Sequence, residues 1–421
     1  MRLAAAVLAV LILSGAPAYG ADRPATPSTL ASVISAAQPG DTILLATGDY
    51  GTWTGGAKAA PGVTIKPAAG ATPSLGVNFG SSASNLRLEG FSQFQGGTLT
   101  NSSNITIADS IFRRPMGVSG GTGIVFDGDT FDGLGTGINE GRLGFVRGAK
   151  VTVRNSHFGG GGCSDGIMVS GGGGAAPTVT IDRNVFDGLR QGSCAAHVDP
   201  IQFYGATGTV VTSNYFVNNS TGIMSPDCNG SPLTATNNVF VSTGYHAAII
   251  HGGGRDSTIA HNVMVGWALN VDSGNNGCAT PRNNVVRDNV GYVNVGGTGN
   301  TVIGNVLRSQ VSFRGGPGRC GYATAFPVGT ASDGASVGLT DCVQVPPPPD
   351  PTPTPTPTPA VTATVTPSPE PTATPEPEYR PACAPGCDQA IAEQQNTITD
   401  LRAQIGALKA KIAAAVAALT E

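Results

Sequence analysis

The stretch VTIDRNVF, residues 179–186, alternates apolar and polar side chains over one short strand, breaks at Asn184 and resumes with two apolar residues. The same form follows in VVTSNYF (210–216), LTATNNVF (233–240), STIAHNVM (257–264), NVVRDNVGY (284–292) and TVIGNVL (301–307). It precedes in NITIADSIF (104–112), GIVFDGDTF (123–131) and VTVRNSHF (151–158). The polar corner is Ser110, Asp129, Ser156, Asn184, Asn214, Asn238, Asn262, Asn289 and Asn305, at intervals of 16 to 30 residues.

Self-similarity on this scale marks a stacked architecture. Parallel strands ordinarily need long crossovers. A coil removes that need, because each strand pairs with its counterpart one full turn later, about 4.8 Å away. No helical pattern lies between the strands, so the expected fold is all-β, a parallel solenoid. Asparagine suits the corner in two ways: it tolerates left-handed backbone angles, and its amide can bond to the amides above and below. The 61 glycines fit a chain of many turns.

With these corners and strands, the sequence resembles the pectate-lyase-like superfamily of right-handed parallel β-helices over roughly residues 27–320. Its N-terminal approach is similar too. In STLASVISAAQPGDTILLATGDY (28–50), a short helix carries Leu30, Val33 and Ile34 on one face, Pro39-Gly40 stops it, and Thr42–Leu45 opens the first coil. Such a helix caps the open end of a solenoid.

Further strands align as GTGINE (135–140), SDGIMVS (164–170), HVDPIQFYG (197–205), STGIMSP (220–226), HAAIIHG (246–252) and WALNVDS (267–273). Ile138, Ile167, Ile201, Ile223, Ile249 and Leu269 then stack inward. Alternation turns Asn139, Met168, Gln202, Met224, Ile250 and Asn270 outward, with Tyr204 and Asp272. In the resembling superfamily this face and the loops before it form a polysaccharide groove. That implies Arg190 and His197 on the loop, Asp199 at the strand start, and Asp165 in the same place one coil earlier. Two carboxylates on adjacent coils repel unless a proton or cation intervenes, so Asp165 and Asp199 are candidates for acid–base work or for binding Ca²⁺. An aspartate there also serves as a turn-amide acceptor. Gln202, Tyr204, His246, His251 and Arg255 are candidate substrate contacts. A one-residue slip of the 246–252 strand decides whether His251 points out or in.

Charge is sparse, with a net value of −4, and Lys150 is the only lysine between residues 67 and 408. That excludes the basic footprint of a nucleic-acid binder. Residues 1–20 read as a secretory signal, and no other apolar run reaches a membrane span; the expected localisation is extracellular. Eight cysteines in an exported chain favour disulfides. Cys163–Cys194 would join the loops before Asp165 and Asp199, with Cys228–Cys278 and Cys320–Cys342 as further pairs. The body is expected over 22–344, followed by a Pro/Thr-rich polyproline spacer over 345–380. A heptad helix over 387–421 follows, with Ile391, Ile398, Ile405 and Ile412 at a positions and Leu401 and Leu408 at d. It reads as a coiled coil that joins copies of the chain, or as a lone amphipathic helix.

Three functions compete. A polysaccharide lyase on a uronic-acid polymer would use Arg190, His197, Tyr204 and the aspartates. A glycoside hydrolase would use Asp165 and Asp199. A surface-displayed glycan-binding protein or adhesin would use the groove without chemistry. The GHG and RIK signatures of polygalacturonases and the WxDH and RxPxxR signatures of pectate lyases are absent; RRPMG (113–117) lacks the final arginine.

Overall fold

A computed structural model of the chain describes residues 20–307, apart from 134–140, 172–173, 196, 229–231, 242–246 and 275–276, together with Val337 and Leu339. The chain divides into two units, Met1–Pro353 and Thr354–Glu421. The expected secretory signal (apart from Gly20), the expected spacer over 345–380, the expected heptad helix over 387–421 and the expected Cys320–Cys342 pair lie outside the described residues.

The described residues wind into a parallel β-solenoid. One sheet of 13 strands carries the strands that lead to each corner, and a sheet of 16 carries the other two walls. Those two walls join through Val263–Val271, a strand long enough to pair with Val239–Val241 on one wall and Ile249–His251 on the other. Among the described residues every strand pair is parallel, each strand meeting its counterpart one coil away, as with Val151↔Val179 and Ile181↔Val211.

The corner forms the ladder expected of it. The backbone N–H of Asn184 donates to Oδ1 of Asn214 at 2.9 Å, and the pattern continues through Asn238, Asn262, Asn289 and Asn305. Each side-chain amide also donates to a strand carbonyl, as Asn238 Nδ2 does to Val211 O at 2.9 Å. From Asn184 to Asn289, where the corner is buried, the side-chain amides are thereby matched, which is the condition for burying them. The left-handed angle, however, falls one residue earlier than expected: on Asp109, Asn155, Arg183, Ser213, Asn237, His261 and Asp288, with φ between 48° and 58°. The ladder residue is chosen for its amide and its neighbour makes the bend. Just past the ladder, Phe131, Phe158, Phe186, Phe216 and Phe240 stack with centroids 4.4–4.9 Å apart.

At the N-terminal end the helix runs Leu30–Ala36 with Leu30 and Ile34 buried, and Val33 packs on the same core. The coil opens one strand earlier than expected, since Asp22–Ala25 pairs with Thr42–Leu45.

Candidate functional site

The wall that carries the site is in the expected register from Ile167 onward: Ile167↔Ile201, Ile201↔Ile223, Ile223↔Ile249 and Ile249↔Leu269. One coil earlier the aligned strand is Leu143–Val146, with Leu143↔Ile167 in the place given above to Ile138. Ile138 and Asn139 lie outside the described residues. The outward row is Gly144, Met168, Gln202, Met224, Ile250 and Asn270.

Because Ile167 and Ile201 pair, Asp165 and Asp199 occupy equivalent positions two residues before them. The Asp199 backbone N–H donates to Asp165 Oδ1 at 2.8 Å. Thr221 donates its hydroxyl to Asp199 Oδ1 at 2.5 Å. His197 Nδ1 lies 2.8 Å from Asp199 Oδ2. That bond fixes the tautomer: Nδ1 carries the proton and Nε2 is left for the cleft. The Asp199 hydrogen bond also raises the His197 pKa above its ordinary value, against the opposing effect of desolvation.

Asp165 differs from its neighbour. It is 1 % exposed, and its Oδ2 has no hydrogen-bond partner. Burial, with the Asp199 charge adding to it, raises its pKa to about 7, although the Asp199 amide bond pulls the other way. Asp165 does not line the cleft, whereas His197 and Asp199 do.

The cleft, of roughly 760 Å³, is lined by Gln191, His197, Asp199, Gln202 and Thr221, by Met224 and Ile250 on the floor, and by Asp227 and Asp272. Among the described lining residues there is no arginine or lysine. Gln202 is 1 % exposed and donates through Nε2 to the Tyr204 hydroxyl at 2.6 Å, while its Oε1 is buried without a partner. Desolvation raises the Tyr204 pKa. Two disulfides bracket these loops, Cys163–Cys194 and Cys228–Cys278.

Other candidates lie elsewhere. Arg190 is exposed and ties its Nε to Asn218 O at 2.5 Å, outside the cleft lining. His251 is wholly buried, because the strand holds the unslipped register Ser225↔His251. It bonds Ser257 through Nε2 at 2.9 Å, and burial lowers its pKa to about 4. It serves the core, not a substrate. Arg255 is exposed and does not line the cleft, and His246 lies outside the described residues.

Sequence reasoning did not find Thr221, which holds Asp199, or Arg142. Arg142 is wholly buried, bonding Phe131 O at 2.7 Å and also Gly159 O and Gly161 O. Burial lowers its pKa to about 10. No motif announces either residue; only coil closure puts them there.

Asp165, His197 and Asp199 each offer one ligand atom, all within 4.8 Å of one another. Calcium fits this set poorly. It takes six to eight oxygens, whereas three of the four carboxylate oxygens here already accept hydrogen bonds. Only Asp165 Oδ2 is uncommitted. A nitrogen–oxygen donor set of this kind suits a borderline transition metal better.

Residues 76–264 match the family model described as right handed beta helix region. The chain therefore has the right-handed parallel β-helix fold that the ladder registers define, with no member family assigned. No curated protein matches it. Among solved structures it is similar to AlyGC, an alginate lyase of family PL6, at 16 % identity and TM-score 0.47, covering 64 % of this chain and 43 % of that one. The chain thus spans less than half the length of that lyase. It is also similar to the PL6 polysaccharide lyase Pedsa3628 from Pseudopedobacter saltans, at 14 % identity and TM-score 0.46, covering 76 % of this chain and 96 % of that one. PfbA, a surface adhesin of Streptococcus pneumoniae, matches at 14 % identity and TM-score 0.44, covering 64 % and 82 %.

Proposed function

We propose that this is a secreted polysaccharide-cleaving enzyme that acts by β-elimination on a uronic-acid polymer, with His197 as the base. The observation that carries this reading is the His197–Asp199 pair at the cleft wall, because elimination needs a base of near-neutral pKa held in one tautomer and aimed at substrate. His197 Nε2 takes the proton on the carbon beside the carboxylate, the electron pair forms the new double bond, and the glycosidic C–O bond breaks. The departing oxygen takes a proton from the Tyr204 hydroxyl or from water. Asp199 orients the imidazole and stabilises its protonated form, Thr221 and the Asp165 carboxyl hold Asp199 in place, and Gln202 holds Tyr204.

Asp199, Asp227 and Asp272 make the cleft anionic. A uronate is therefore admitted with its charge neutralised, as the free acid or a cation salt. The same three carboxylates favour a second reading, hydrolysis, which uses two acids on opposite sides of a glycosidic bond. Asp227 or Asp272 opposite Asp199 would then replace the pair Asp165/Asp199, because Asp165 is buried away from substrate.

Incubation of the secreted chain with pectate, alginate and glycosaminoglycans separates these readings. Elimination gives ultraviolet-absorbing unsaturated ends. New reducing ends without that absorbance would establish hydrolysis, and retention without any cleavage would establish a binding protein.

A further inference from the structure

Asp165 and Asp199 are 1 % and 2 % exposed on adjacent coils, with ligand atoms within 4.8 Å of one another and of His197. Like charges buried this closely repel unless a proton or a cation stands between them. Arg142, which acts on Asp165 through its charge, does not bond either acid. Its guanidinium is spent on the carbonyl oxygens of Phe131, Gly159 and Gly161.

The remaining bonds divide each carboxylate into a tied oxygen and a presented one. Asp165 Oδ1 accepts from the Asp199 backbone N–H, and Asp199 Oδ1 accepts from the Thr221 hydroxyl. That leaves Asp165 Oδ2, buried without a partner, and Asp199 Oδ2, which meets His197 Nδ1 at 2.8 Å. Tying one oxygen so that the other is offered is how outer hydrogen bonds orient metal ligands. Donors of a tetrahedral zinc stand about 3.4 Å apart, between the 2.8 Å of the His197–Asp199 contact and the 4.8 Å limit of the set. His197 and Asp199 line the cleft, so a fourth position opens to solvent there. Two oxygens, one imidazole nitrogen and an open place make a zinc-like count, and too few donors for calcium.

We propose that Asp165, His197 and Asp199 form a site for a borderline transition metal, zinc before others, and that the bound ion switches His197 off as a base. The second half rests on the elimination reading above; the first does not. The ion takes the place of the proton on Nδ1, which leaves to solvent. A neutral imidazole ligated at Nδ1 carries its one proton on Nε2. The nitrogen left for the cleft then donates where the reaction needs it to accept. The metal is an inhibitor here, not a cofactor.

The test uses the full chain, stripped with EDTA and dialysed, then titrated calorimetrically at neutral pH with zinc chloride alone or calcium chloride alone. About one zinc ion per chain is expected, with calcium at least about tenfold weaker. Asp165→Asn and His197→Gln should each weaken zinc by at least about tenfold. Zinc should raise the melting temperature of the wild type, and that of neither variant. With an acidic polymer as substrate, zinc should suppress unsaturated product in step with its occupancy, and EDTA should restore it.

A wild type that binds no zinc, or that binds calcium more tightly, would overturn the proposal. So would equal zinc affinity in the wild type and both variants. If Asp165→Asn melts below the metal-free wild type, His197→Gln decides alone, since that side chain is 45 % exposed. Zinc bound through these residues with elimination undiminished would overturn the switch, and His197 as the base with it. Zinc bound there with no unsaturated product from any polymer would sink the elimination reading and leave the metal site standing.

Discussion

The corner ladder and the cleft are built by the same device, polar side chains stacked on successive coils, and they spend it differently. At the corner every stacked amide is matched, and Asn214, Asn238 and Asn262 each bond the next asparagine and a strand carbonyl. At the cleft the stack is left open: Asp165 Oδ2 and Gln202 Oε1 are buried with no partner. Buried polar groups in folded proteins are nearly always satisfied, so two unmatched oxygens beside one cleft are notable, although Asp129 Oδ2 in the corner is unmatched as well. Repetition satisfies the stacked amides at the corner; interruption of the same repeat leaves Asp165 Oδ2 and Gln202 Oε1 unmatched beside the cleft.

The largest expected effect separates the two regions outright. His197→Gln should lower elimination by about 10²- to 10⁴-fold, the usual contribution of a positioned base, with the melting temperature unchanged. Asn238→Ala should do the opposite. It removes the acceptor of the Asn214 backbone N–H and leaves buried groups unmatched, at a cost of about 3–5 kcal/mol in denaturant unfolding. Turnover per folded molecule should be unaffected.

Asp165→Asn sharpens the comparison through pH. In the folded state this carboxyl titrates at about 7, against 3.8 ordinarily, so the folded state holds the proton more tightly. Its contribution to stability is full below about pH 4 and is lost as the pH rises towards 7. The variant should therefore gain melting temperature relative to wild type progressively between those values, while the two should nearly coincide at pH 4. A gain that does not depend on pH would place the effect elsewhere.

The smallest effect concerns the one acid in the ladder. Asp129 accepts from the Ser110 N–H at 2.9 Å, its Oδ2 has no partner, and burial raises its pKa well above the usual carboxylate range. A carboxyl whose protonated form burial favours thus stands where later coils use an amide. Asp129→Asn should stabilise the fold at neutral pH by about 1–2 kcal/mol, and the gain should shrink as the pH falls and the wild-type carboxyl takes up its proton.

How much of this could be read from the sequence follows the same division. The solenoid, the ladder positions and the inward row from Ile167 to Leu269 were legible because each coil repeats its polarity pattern, and Asn184 through Asn305 recur as one residue type. The left-handed position was not, since Arg183, Ser213, Asn237, His261 and Asp288 share an angle but no chemistry. Nor could alternation distinguish GTGINE from Leu143–Val146 as the strand above Ile167, because both carry an apolar residue at the needed phase. At the site, Asp165, His197 and Asp199 were visible as a group because they precede aligned strands. The burial of Asp165, the inward turn of His251, and the parts played by Thr221 and Arg142 depend on loop lengths that no period records.

The most direct measurement of the central claim is the pH dependence of kcat/KM for wild type and Asp199→Asn, with melting curves confirming that both are folded. If His197 is the base and Asp199 raises its pKa, wild-type activity should climb with pH through a limb above 6.5, the ordinary histidine value. In Asp199→Asn that limb should move to lower pH as the maximal rate falls. An acidic limb at the same pH in both proteins, or none at all, would contradict the assignment.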